Sequence, residues 1–396
     1  MNRVNFLRKT IRKVKSWIKI PITMLLVFAC TFELGSFVLT KYELLHVNLT
    51  PTIYKSNNRF PNIVFGRTEK EIWGSWNTPN STYSNVKDCF DISLSFNEIG
   101  ARDDSFRNLP NYSLFLIGDS FAEGYGVEKI ESSEYFIEKE LGVPVLNFGA
   151  SGDFGPLQQY LIYNNYNYLP HQGLIIYVLP DNDFTDNDVK TWMNRDQTRF
   201  RPYFNQTGNP LNPYYFPKAI PRDGTSYKIL KQIIRDYFWS ANTLRSILIE
   251  RDLWAIRDII KNKKTGQLNS YFYDANHLQQ TNLINAYEGI LDSANNRDVI
   301  FVIIPTKRDI MRWKSEADRD SYKRQHWYSS FESFEERVYQ NVAVINLLEY
   351  LPDQIEKLFL ICDGHWSPYG NKWVSDIIIN HVKKNNFFQF TEMSRR

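Results

Sequence analysis

The run Leu114-Phe-Leu-Ile117 is apolar at every position and stops abruptly at Gly118-Asp119-Ser120, after which the chain continues as Phe121-Ala-Glu-Gly-Tyr-Gly126. An unbroken apolar run of this length, bounded by a turn signal, reads as a short buried strand rather than a half-exposed one, which would alternate. A small-residue turn directly after such a strand, leading into a helix, presents the serine hydroxyl at the carboxyl edge of a sheet and near a helix N-terminus. A nucleophile belongs there, although Gly-Asp-Ser on its own is also an ordinary turn.

The rest of the chain has the alternation that a parallel sheet requires. Strands are expected near Ser113–Ile117, Val143–Asn147, Gly173–Leu179, Val299–Ile304 and Val342–Leu347, and helices over Glu134–Leu141, Pro156–Tyr163, Gln279–Ala294, Phe331–Asn341 and Lys372–Lys384. Five parallel strands with covering helices predict a flavodoxin-like α/β/α layer. More than a hundred residues separate the third and fourth strands, far more than one crossover needs. An insertion is therefore expected at about 186–275, with an aromatic and Pro-rich start and helices over Ile229–Ile260.

A resting serine needs a base within hydrogen-bond reach, and the base needs a partner that fixes its tautomer. Near the other end of the chain, Cys362-Asp-Gly-His-Trp-Ser-Pro-Tyr-Gly370 places a carboxylate two residues before a histidine, on a glycine-containing loop ahead of a helix. Ser120, His365 and Asp363 are the candidate nucleophile, base and orienting acid.

With these residues the sequence resembles the SGNH (GDSL-type) esterase and acyltransferase superfamily, over roughly residues 97–385. Gly118-Asp119-Ser120 matches the nucleophile block. Asn147-Phe-Gly-Ala-Ser-Gly-Asp153 is similar to the second block, and Pro180-Asp-Asn-Asp183 to the third. The resemblance implies that the backbone N–H groups of Ser120 and Gly152 and the side-chain amide of Asn182 would form an oxyanion hole. Many members separate the acid and the histidine by two residues, whereas here only Gly364 intervenes. That short spacing also occurs in a branch that acetylates exported polysaccharides, where the order of the blocks along the chain differs. Segments Trp73-Gly-Ser-Trp-Asn-Thr-Pro79 and Phe96-Asn-Glu-Ile-Gly-Ala-Arg-Asp103 resemble stretches ahead of the serine in a membrane-anchored, polysaccharide-associated branch. They make Asn97 and Arg102 candidate substrate contacts together with Tyr125; for Arg102 the alternative is a structural pairing with an acid.

Net charge is only +3, yet the first nineteen residues hold seven Lys or Arg and no acid, so the remainder is net acidic and nothing points to nucleic acid. The basic tail, 1–19, runs into the apolar stretch Ile20–Thr40, long enough to cross a bilayer. The charge asymmetry sets the N-terminus in the cytoplasm. A membrane-proximal extension, 41–110, and an extracytoplasmic catalytic domain, 111–390, would follow. Glu33 within the span is costly, but less so near its outer end. Val27-Phe-Ala-Cys30 also hints at a lipoprotein site, which Phe28 and the continuing apolar run disfavour.

Cys89 and Cys362 would then face an oxidising compartment and are candidates to pair, tying the extension to the loop beside Asp363. His46, His171, His277, His326 and His381 show no metal-ligand spacing, and no cofactor is expected. In the insertion, Tyr203, Phe204, Tyr214, Tyr215 and Phe216 would form either a sugar-stacking platform or ordinary packing. Arg195, Arg199 and Arg201 would either steer an acidic polymer or serve as surface solvation. Asn48, Asn80, Asn111 and Asn205 stand in Asn-X-Ser/Thr triplets, as chance allows. The expected partners are a carbohydrate or acyl-ester substrate, the membrane through the N-terminal helix, and a membrane acyl-donor protein. Two other readings stay open: a non-catalytic protein of surface-glycan export, and a lipase or lysophospholipase.

Overall fold

The computed structural model describes residues 3–42, 44–45, 51, 67–70, 72–87, 89–107, 109–110, 113–152, 154–189, 201–206, 209–215, 230, 233–234, 237–250, 270–337 and 341–388. His46, Asn48, Asn111, Arg195, Arg199 and Phe216 lie outside the described residues. The chain divides into two compact units, Met1–Pro61 with Gly224–Trp254, and Asn62–Asp223 with Ala255–Arg396.

The larger unit begins with two antiparallel pairs, β1 (Arg67–Lys70) with β2 (Gly74–Asn77), and β3 (Thr82–Lys87) with β4 (Phe90–Ser95). The central sheet then follows as β5 (Leu114–Gly118), β6 (Val145–Gly149) and β7 (Gly173–Val178). After the two-residue strands β8 (Pro202–Tyr203) and β9 (Tyr214–Tyr215), it is completed by β10 (Asp298–Ile303) and β11 (Val342–Asn346). All five central strands are parallel, in the order β6-β5-β7-β10-β11. The expected parallel α/β sheet is present. β5, β6 and β7 are buried at every residue, as the unbroken apolar sequences of β5 and β7 require; in β6 the buried Asn147 amide donates to the Ala122 carbonyl and to Glu134, and its oxygen accepts the Gly149 N–H.

One face of the sheet is covered by helices Pro156–Tyr166, His277–Ala294 and His326–Phe334, and the other by Ser133–Leu141 and Pro368–Asn385. Their starts are written locally. Ser132 and Ser367 accept N–H bonds from Tyr135 and Gly370, and Asn276 and Gln279 form a capping box. One expected helix is displaced: in place of Phe331–Asn341 the chain forms His326–Phe334, which buries Trp327, Tyr328, Phe331 and Phe334 on one face.

Numbering the central strands along the chain, their spatial order is second-first-third-fourth-fifth. Connections leave the first and third strands in opposite directions across the sheet, so a crevice opens beyond the carboxyl ends of β5 and β7. Ser120 follows β5, and Pro180–Asp183 follows β7.

The smaller unit contains the helix Arg3–Lys41, whose part Thr23–Lys41 is long and apolar enough to cross a membrane by length and composition. Beside it runs a second helix, Trp239–Glu250.

Candidate active site

Ser120 opens a single helical turn, Ser120–Glu123, capped at its start by Asp119, whose carboxylate accepts the Phe121 N–H at 2.9 Å. Gly124 ends the turn in the left-handed region, at φ 74°. The turn packs closely on β6, because a side chain at Gly149 would collide with the backbone of Ala122 and Glu123. Glu123 points inward and joins three segments. Its carboxylate accepts the Asn77 amide at 3.1 Å from β2, and the Ser151 N–H at 3.0 Å together with the Ser151 hydroxyl from the loop after β6.

His365 sits across from the serine. Its Nε2 lies 2.6 Å from the Ser120 hydroxyl and its Nδ1 2.5 Å from Asp363 Oδ1. Asp363 also accepts the His365 backbone N–H at 3.2 Å, so residues only two apart in the chain close on themselves. The short spacing that departs from the common family pattern is therefore geometrically compatible with a Ser-His-Asp chain of hydrogen bonds. Phe121 and Tyr125 flank the imidazole, with ring centroids at 5.0 and 4.6 Å.

The other oxygen of Asp363 has a partner that sequence reading missed. Lys87, at the end of β3, places Nζ 2.5 Å from Asp363 Oδ2 and 4.8 Å over the Tyr125 ring. Burial would raise the Asp363 carboxyl, but the His365 hydrogen bond and charge and the Lys87 ammonium reverse this and hold it well below the usual range. Burial likewise pulls the Lys87 ammonium down, and the charges and hydrogen bonds of Asp363 and Tyr125 together more than compensate, leaving it raised. A disulfide joins Cys89 to Cys362, with Cα atoms 5.6 Å apart. One short hairpin turn thus carries both links to the Asp363–His365 loop.

The candidate oxyanion groups lie on the turns that follow β5, β6 and β7. Among the described residues, the Ser120 N–H has no protein acceptor. Gly152 has φ 88°, a conformation that suits glycine, and follows the Ser151 held by Glu123. Asn182, in the first turn after β7, donates its side-chain amide to Asp119 Oδ2 at 3.2 Å and to Asp186 Oδ2 at 2.9 Å. To serve an oxyanion it has to exchange one of these carboxylates. Burial raises the Asp119 carboxyl. Asp183, accepting from the Leu179 N–H and Tyr287 hydroxyl, is pushed well above its ordinary value by burial and then by Asp119 and Asp186.

Several expected contacts are placed elsewhere. Arg102 is 1% exposed, with its guanidinium on the carbonyls of Glu123, Gly124 and Val127 at 2.9, 2.5 and 2.7 Å. It closes the loop behind the Ser120 turn, and its hydrogen-bond partners are backbone oxygens rather than an acid. Asn97 is also buried. Its amide donates to the Asp104 carbonyl, and its oxygen accepts the Ile99 and Ala101 N–H groups, so it shapes its own turn. Tyr203 and Phe204 are packed inside, and Tyr215 donates to the Ile72 carbonyl, leaving Tyr214 as the exposed ring among the described residues of this set. Arg201 is buried and donates to the Asp186 carbonyl at 3.1 Å, not a surface cation. Among the described residues, no group of three or more His, Cys, Asp or Glu could hold a metal ion.

No protein-family profile and no curated protein matches the sequence. Solved structures do. One is the salicylyl-acyltransferase SsfX3 from a tetracycline biosynthetic pathway, at 11% identity and a TM-score of 0.34, covering 70% of this chain and 57% of that one. This chain therefore spans little more than half of that protein's length. Another is a protein assigned to the lipolytic G-D-S-L family from Desulfitobacterium hafniense DCB-2, at 12% identity and a TM-score of 0.34, covering 68% of this chain and 98% of that one.

Proposed function

We propose that this chain is an SGNH-type serine ester hydrolase or O-acyltransferase, acting on acyl esters, acetyl first, of extracellular or cell-envelope polysaccharide. The observation that carries the reading is the unbroken series of hydrogen bonds Ser120–His365–Asp363–Lys87 at the carboxyl edge of the sheet. In this reading His365 Nε2 takes the Ser120 proton as Oγ attacks the acyl carbonyl. The tetrahedral oxyanion is received by the Ser120 and Gly152 N–H groups and by Asn182 once it has left a carboxylate. Asp363 fixes the tautomer and balances the imidazolium. His365 then passes its proton to the departing alkoxide, leaving acyl-Ser120. Attack on that ester by water gives hydrolysis, and attack by a sugar hydroxyl gives transfer.

The N-terminal basic tail and apolar helix support an anchored enzyme with its catalytic unit on the extracytoplasmic side, where the Cys89–Cys362 disulfide would persist. A membrane protein that hands over acyl groups would be the donor for transfer. The test is acyl-enzyme formation: the purified chain is treated with p-nitrophenyl acetate or a serine-directed fluorophosphonate and the intact protein is weighed. A covalent adduct in the native chain that is lost in Ser120→Ala is the expected result. A folded native chain that takes up neither reagent would overturn the proposal.

A further inference from the structure

The smaller unit is built inside out. Its two helices advance together: Glu33 accepts the backbone N–H groups of Trp239 at 2.5 Å and Ser240 at 3.0 Å, and Phe37 meets Trp239 edge-to-face at 5.1 Å. Further along, Thr243 lies 3.4 Å from both the Ser36 carbonyl and the Thr40 hydroxyl. Polar side chains fill the unit's interior, for Ser36, Thr40, Asn242, Thr243 and Ser246 are all at most 5% exposed. Apolar side chains face outward, with Leu34 at 64%, Val38 at 38%, Leu244 at 53% and Leu248 at 39% exposure. Water favours the reverse, because each outward leucine forfeits burial and each inward hydroxyl loses hydration. In lipid the arrangement is favourable, since small hydroxyl residues pack helices closely and the leucines meet acyl chains.

The approach to the second helix continues the pattern. Leu230, Ile233, Ile234, Tyr237 and Phe238 are all at least 40% exposed and recur at helical spacing, with Lys231 and Arg235 between them in the sequence. A basic, amphipathic, aromatic-rich segment of this kind settles at a membrane interface.

We infer that the helix Trp239–Glu250, with Leu230, Ile233, Ile234, Tyr237 and Phe238 ahead of it, forms a second membrane element, which enters and leaves the outer half of the bilayer beside the N-terminal span. The inference rests on the reading of Thr23–Lys41 as a span. Glu33 lies eight residues before Lys41, about 12 Å along a helix at 1.5 Å per residue. The helix Trp239–Glu250 therefore starts about 12 Å below the outer end of the span, and its length of about 18 Å carries the chain back out. This also accounts for Glu33: an acid in an apolar span is held by the N–H groups and positive dipole end of the helix beside it. The occupant of the exposed face is lipid, continuous with that around the outward residues of the span.

The test uses the full chain with Cys30, the free cysteine among the described residues, changed to Ser. Single cysteines are introduced as Ile234→Cys, Leu244→Cys, Val27→Cys in the span and Asp292→Cys in the larger unit, each labelled with the fluorophore NBD. The proteins are placed in phosphatidylcholine and phosphatidylglycerol vesicles. Doxyl-labelled lipid should quench the label at 234 and 244 as it does at 27, with iodide quenching lost at those sites and retained at 292. Iodide quenching at 234 and 244 would overturn the inference, and so would shielding from both quenchers, which would mean cover by protein. Absence of lipid quenching at 27 would strike the span reading itself, and is read separately.

Discussion

The two halves of the Ser120–His365 pair are held in place by different means. Ser120 stands on a scaffold with no slack. β5 behind it is buried throughout, and Asp119, Glu123 and Arg102 are each at most 2% exposed and bonded to neighbouring backbone. His365 and Asp363 sit on a loop closed by the Phe359–Trp366 bridge and the Leu360 N–H on the His365 carbonyl. Beyond that bridge the loop is fixed by two cross-links to the hairpin of β3 and β4, the Cys89–Cys362 disulfide and the Lys87–Asp363 ion pair. Ser120 is located by core packing and His365 by tethers. The first half should be indifferent to solution conditions, and the second should respond to redox state and pH.

The largest effect expected is on chemistry alone. Ser120→Ala should lower turnover by about ten-thousandfold or more, while the melting temperature stays within about a degree, since surface-edge hydroxyl losses are small. A large loss of stability would mean that Ser120 belongs to the scaffold, and would break the comparison. Arg102→Met tests the scaffold. It orphans three carbonyls, each worth about 1–3 kcal/mol when buried and unpaired, so a loss of at least about 3 kcal/mol is expected in denaturant unfolding. Arg102→Lys should recover only part of it, because one ammonium cannot span three acceptors.

Reduction tests the tethers. Opening the Cys89–Cys362 bond, or Cys89→Ala with Cys362→Ala, should cost about 2–4 kcal/mol of stability. Below the lowered melting point it should slow Ser120 acylation while the near-ultraviolet signal of the aromatic core persists. Unchanged acylation in the reduced, folded protein would show that the loop needs no tether.

How far the sequence could be read follows the same division. The buried strands announce themselves as apolar runs, and Gly118-Asp119-Ser120 and Asp363-Gly-His365 carry their geometry within a few residues. The roles of Arg102 and Glu123 are not legible in the same way: the partners of Arg102 are backbone carbonyls, which have no sequence identity, and those of Glu123, Asn77 and Ser151, are distant in the chain. Lys87 lies 276 residues from Asp363 and on a different element; the clue was its place two residues before Cys89, once Cys89 is paired with the neighbour of Asp363. The helix Lys307–Trp313 carries little sequence signal because it is short and charged, although Thr306 and Asp309 stand in a capping-box pattern. Both helices of the smaller unit are legible, within Ile20–Thr40 and Ile229–Ile260, but their pairing is not, because the polar residues that join them face inward, the opposite of the rule by which amphipathic helices are recognised.

The smallest effect separates the two tethers. Lys87→Gln keeps a hydrogen-bond donor near Asp363 and removes the charge. Lys87 acts through Asp363 and touches no reacting atom, so it is a positioning residue, and the loss in kcat/KM should be modest, about tenfold for one charge-assisted bond that is partly open to solvent. The pH dependence carries more information. Asp363 is held below its unfolded value, so its contribution to stability is present above about pH 4 and fades as the pH falls through its lower folded value. Lys87 is held above its unfolded value, so its contribution is present below about pH 10.4 and is lost as the pH rises through the folded value. The native chain should therefore exceed Lys87→Gln in stability between these limits, and the two should converge outside them. With the ammonium gone, Asp363 is oriented by His365 alone, so the loss should fall on kcat rather than on KM. A stability difference with kcat unchanged would make Lys87 a tether only; both together would show that it also positions Asp363 for His365.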